Sequence, residues 1–79
     1  MRIENHYGKD VVCGHIFPID EIEVGSKWQD SVGFEVTVTT VDIVRSDIHY
    51  EWIENGKMKY NIKDAFSWQC RHCLIVKTK

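Results

Sequence analysis

An Asn-Gly pair at positions 55 and 56, set between two runs of alternating apolar residues, constrains this chain more than any other feature. Ahead of it stands Ile48-His49-Tyr50-Glu51-Trp52-Ile53, and behind it Met58-Lys59-Tyr60-Asn61-Ile62. Asn-Gly between such runs is the strongest short-range sign of a β-hairpin. Upstream, residues 33–44 form a longer run rich in Val, Ile and Thr, residues that suit a pleated surface. Residues 28–62 therefore read as a bent β-meander, and the chain as all-β.

Two details of that meander can be worked out from parity. Side chains alternate along a strand, so Phe34, Val36 and Val38 share one face while Val41 and Ile43 share the other. A bulge or sharp bend near Thr39-Thr40 would turn both sets toward one core. For the hairpin, a two-residue loop pairs Ile53 with Met58 and leaves Trp52 opposite Lys59. A three-residue loop of Glu54-Asn55-Gly56 instead pairs Trp52 with Met58, Tyr50 with Tyr60 and Ile48 with Ile62. Register follows the buried face, so the three-residue loop is the expectation, with Gly56 in the left-handed region.

At 79 residues the chain is read as a single domain, 1–79, near the lower limit for a self-sufficient core. Residues 1–21 are read as an N-terminal strand and loop, 22–76 as a barrel core and 77–79 as a solvated tail. Val11-Val12-Cys13-Gly14-His15-Ile16-Phe17 suggests a first strand, ended by Pro18. Phe66 and Cys70, four apart, suggest a short helical turn after Asp64, and residues 73–76 a closing strand. The N-terminus lacks the apolar stretch of a signal peptide, and no apolar run approaches the ~20 residues that span a bilayer. Three cysteines, an odd count without a secretory signal, read as reduced thiols in a cytosolic compartment. The charge is uneven: residues 1–56 hold four basic against eleven acidic residues, and residues 57–79 six basic against Asp64 alone. A chain acidic overall is not built to coat phosphate backbones.

Gly25 and Trp28, the bent Val-Thr-Val strand, the Tyr50-Glu51-Trp52 strand into Asn55-Gly56, and the segment from Asp64 to Val76 come in a familiar order. The layout resembles SH3-like small barrels, in particular uncharacterised small proteins encoded by tailed bacteriophages. The resemblance spans residues 22–76. It implies a barrel of about five strands with a short helical turn before the last, acting as a non-catalytic module inside a bacterial host. It transfers no functional residue.

The residues themselves offer three chemistries. Cys13, His15, Cys70 and Cys73 make a chemically complete Cys3His zinc set, although Cys73 opens an apolar strand where cysteine packs as a small hydrophobe. Structural cysteines and no cofactor are the first expectation, a zinc-stabilised module the alternative. Histidines 6, 15, 49 and 72 could exchange protons near neutral pH, but a small barrel seldom offers a ligand cleft of ~300 Å³ or more, so no enzyme is expected. Trp68, without a periodic partner demanding burial, sits near Arg71, Lys63 and Lys59. Exposed, this group would contact a host or phage protein or a second copy of the chain. With Tyr7 as a further stacking ring, it would alternatively take a nucleotide or single-stranded nucleic acid.

Overall fold

The computed structural model describes residues 2–78. Seven strands, β1 (Arg2–His6), β2 (Lys9–Cys13), β3 (Lys27–Asp30), β4 (Glu35–Asp42), β5 (Asp47–Glu54), β6 (Lys57–Asp64) and β7 (His72–Thr78), form one antiparallel sheet. Its order is β1-β2-β7-β3-β4-β5-β6. One helix, α1 (Ala65–Cys70), carries the chain from the edge strand β6 back to β7.

This corrects the five-stranded SH3-like barrel. The class is all-β, but β1 and β6 remain separate edges and the sheet does not close. One strand and one extension arise by pairing rather than by pattern. The polar run Arg2–His6 becomes a strand because β2 lies beside it, with Ile3 opposite Val12 and Asn5 opposite Asp10. Strand β7 runs on to Thr78, opposite Lys9, so residues 77 and 78 of the expected tail are part of the sheet, and Lys79 lies outside the described residues.

The bend at Thr39 is present. Val38 opposes Tyr50 and Thr40 opposes His49, which leaves Thr39 as the extra residue of a bulge. Val36 and Val38 are buried and Val41 partly so, whereas Phe34 lies at the rim and Ile43 is 59 % exposed. The bulge therefore rescues Val41 but not Ile43, which falls beyond the ladder.

The hairpin takes the other register. Ile53 opposes Met58, Trp52 opposes Lys59 and Tyr50 opposes Asn61. Asn55 and Gly56 both have positive φ, 52° and 75°, the two-residue turn whose twist matches that of the strands. Turn geometry prevails over face matching, and the consequence is visible. Ile53, Met58, Tyr60 and Ile62 point away from the core and are exposed, Tyr60 at 75 %.

The core lies on the opposite face. Ile22, Trp28, Val36, Val38, Ile48, Tyr50, Ala65 and Trp68 pack together, flanked by Phe17, Ile19, Val41, Trp52 and Leu74. Helix α1 covers this face with Ala65, Trp68 and Gln69, the i, i+3, i+4 stripe of a helix laid on a sheet. Its first turn is capped by Asp64, whose carboxylate accepts from the Ser67 backbone N–H at 2.9 Å. The loop before β3 is pinned to α1 by Gln69: its side-chain oxygen accepts from Phe17 N–H at 2.8 Å, and its amide donates to Phe17 C=O at 3.0 Å. Among the described residues, no helix is long and apolar enough to cross a membrane.

Candidate functional site

Between α1, the ends of β3 and β4, and strand β5 the core face opens into a groove of about 1120 Å³. The unclosed sheet leaves this groove open to solvent rather than closed over as a water-excluding cleft. Five rings follow one another along the floor. Phe34 meets Trp52 edge-on at 6.5 Å, Trp52 stacks on Tyr50 at 5.6 Å, Tyr50 meets Trp68 at 5.6 Å, and Trp68 stacks on His72 at 4.7 Å. The row comes from strand periodicity: Tyr50 and Trp52 are two apart on β5, and Phe34 leads into the Val36 face of β4.

The inner end of the row is closely packed. Trp68 is 2 % exposed and also meets Trp28 at 4.7 Å. Its indole Nε1 is buried with no hydrogen-bond partner in the protein. His72 donates from Nδ1 to the Trp68 carbonyl at 2.8 Å, the only role that an acceptor carbonyl permits. Burial holds the His72 imidazole below its ordinary pKa and Arg71 adds to this, opposed by the Trp68 carbonyl and the Asp30 carboxylate. Burial likewise raises the Tyr50 phenol, against a hydrogen bond with Asn61. Trp52 and Phe34 form the accessible end, with the Trp52 indole donating to Glu54 at 3.1 Å.

Three of the four sequence-nominated contact residues, Trp68, Arg71 and Lys63, line this groove. Lys59 shares the Trp52 side of the sheet by register but stands outside it. Trp68 is not the exposed ring anticipated: it belongs to the core, and Phe34, Trp52 and His72 supply the reachable aromatic surface instead. Tyr7 is elsewhere. It packs on Gly33, where a β-carbon would sit 2.7 Å from the tyrosine ring, and its hydroxyl donates to Ser31 C=O at 3.3 Å.

The cysteines correct the reduced-thiol reading. Cys13 and Cys73 form a disulfide, while Cys70 is a free, exposed thiol. The pairing follows from register, one step beyond Val12 opposite Leu74 on adjacent strands. His15, the proposed fourth zinc ligand, packs edge-on against Phe17 at 4.5 Å. In the oxidised chain, Cys13 and Cys73 are bonded to each other and cannot ligate as thiolates.

Compared with known proteins, the chain matches no family model, no curated protein and no solved structure.

Proposed function

We propose that the protein is a non-enzymatic binding module that holds a segment of another polypeptide in the aromatic groove. The observation behind this reading is the row Phe34, Trp52, Tyr50, Trp68 and His72, fixed at its inner end and accessible at its outer end. Preorganised aromatic surface suits a contact site because little side-chain entropy is lost on binding. The charge of the rim favours a polypeptide over a polyanion. Asp30, Glu54 and Asp64 outnumber Lys63 and Arg71 around the groove, which disfavours a phosphate backbone and suits a chain of apolar and mixed-charge side chains. His72 is engaged in packing and in its bond to Trp68, which supports binding rather than proton transfer. The bacteriophage setting implied by the resemblance would make the partner a host or phage protein.

The test is selection from a random peptide library on the immobilised protein, with Trp52→Ala as the counter-screen and a thymidine oligonucleotide and ATP as comparators. The expected result is peptides whose affinity falls at least about tenfold on Trp52→Ala, a loss of about 1.4 kcal/mol, with shallow salt dependence. Oligonucleotide or ATP binding that collapses with salt would replace this reading with the nucleotide one. Absence of any selected peptide would overturn it.

A further inference from the structure

A second cluster lies at one end of the groove, whose lining includes Cys13 and Cys73; by register these cysteines share the side of Gln29 rather than that of Trp28 and Leu74. Strand β2 lies between β1 and β7, so Cys13 has neighbours from both. On one side, Arg2 opposes Cys13 and Glu4 opposes Val11, which puts Glu4 diagonally beside Cys13 on the same face, with His6 two residues further. On the other side stands Cys73, bonded to Cys13. The Cys13 sulfur, a His6 ring nitrogen and a Glu4 carboxylate oxygen all lie within 4.8 Å of one another. His6 Nε2 and Glu4 Oε2 are 3.3 Å apart.

These spacings match a specific coordination geometry. Zinc bonds of ~2.3 Å to sulfur and ~2.0–2.2 Å to nitrogen and oxygen set tetrahedral ligand separations of roughly 3.8 Å for two sulfurs and 3.4 Å for nitrogen and oxygen. The His6–Glu4 distance is already close to the second value. The mutual 4.8 Å spread asks for side-chain adjustment of about an ångström. Only the sulfurs are unsuited, being bonded to each other and lacking thiolate charge.

We propose that reducing the Cys13–Cys73 disulfide turns this corner of the sheet into a zinc site formed by Cys13, Cys73, His6 and Glu4, so that the disulfide and the metal are mutually exclusive. A dithiol reductant passes two electrons and two protons to the S–S bond and leaves as its own disulfide, and the two cysteine thiols release their protons to solvent as their sulfurs bind Zn²⁺. In reverse, oxidised glutathione takes two electrons from the thiolates and two protons from solvent and departs as two thiols. The S–S bond reforms and Zn²⁺ is released. The metal then replaces the covalent link between β2 and β7 when the link is lost. This set differs from Cys13, His15, Cys70 and Cys73 in its histidine and its third sulfur.

The experiment uses the full chain, reduced with a non-thiol phosphine or left oxidised, and titrated with Zn²⁺ against a chromophoric chelator. Co²⁺ substitution reports tetrahedral thiolate ligation, and far-UV circular dichroism is recorded in parallel. The expected result is one zinc per reduced chain, none per oxidised chain, and release on adding oxidised glutathione. His6→Ala and Glu4→Gln should each weaken binding by about 100-fold or more, at least the loss seen when a supporting residue is removed. Cys70→Ser and His15→Ala should leave it unchanged. If reduction loosens the fold, zinc should restore the strand signal. A reduced chain that neither takes up zinc nor changes its dichroism with it would overturn the proposal. So would binding that survives His6→Ala and fails in Cys70→Ser.

Discussion

Replacing Trp68 tests how the helix closes the sheet. Its ring packs on Trp28, Tyr50 and His72 at centroid distances of 4.7, 5.6 and 4.7 Å, and only 2 % of the residue is exposed. An indole in such a place buries roughly 200 Å², which at ~25 cal/mol per Å² is about 5 kcal/mol of transfer free energy. The unpartnered Nε1 works against that sum, since freeing a buried donor returns about 1–3 kcal/mol. Trp68→Ala should therefore destabilise by about 3 kcal/mol net, within the range of large-to-small core changes. Trp68→Phe keeps most of the ring and removes the unpaired donor, so its loss should be about 1 kcal/mol or less. The native state of a chain this size stands only about 4–12 kcal/mol above the unfolded one, so the first change is large. Urea denaturation of the oxidised protein, followed by far-UV circular dichroism, measures both. A Trp68→Ala variant within about 0.5 kcal/mol of the parent, as at an exposed site, would refute the packing argument.

Other consequences follow from the register, the buried imidazole and the disulfide. Tyr60→Ala should change stability by less than about 0.5 kcal/mol while Tyr50→Ala costs about 3; equal losses would restore the three-residue loop. Gly56→Ala should cost about 1–2 kcal/mol through its positive φ alone, since a β-carbon there meets nothing within 4 Å. His72 sits below its ordinary value, so between the folded and unfolded pKa the unfolded chain binds more protons. Its stabilisation should be complete above about pH 6.5 and be lost as pH falls through the folded-state value. A denaturation series across that range should show the slope flattened in His72→Gln. Reducing the disulfide, whose cysteines are 60 residues apart, should lower metal-free stability by about 4 kcal/mol on the chain-entropy account, read as a shift of the urea midpoint.

What was legible in the sequence depended on whether one interaction dominated. The bulge at Thr39 was readable because two sets of apolar residues of opposite parity had one core to reach. The helix was readable in place but not in orientation. Phe66 and Cys70 marked its period yet form its exposed side, and the informative stripe was Ala65, Trp68 and Gln69. Reading that stripe would have buried Trp68 from the start. The hairpin set two local preferences against each other, and a shift of one residue reversed the sides of Met58, Tyr60 and Ile62. Strand β1 had no pattern of its own, and the Cys13–Cys73 pair depends on β2 meeting β7, a contact 60 residues apart in the chain. The groove was partly legible through Trp68, Arg71 and Lys63, but Phe34, Trp52 and His72 join it only because the sheet stays open.

The most direct test of the binding account is a ¹H–¹⁵N correlation spectrum of the labelled, oxidised protein titrated with a library-selected peptide. The account predicts shifts concentrated at Phe34, Trp52 with its indole N–H, Arg71 and His72, with the outer face of β6 at Met58, Tyr60 and Ile62 unmoved. Shifts centred on that outer face, with the groove signals unchanged, would contradict it.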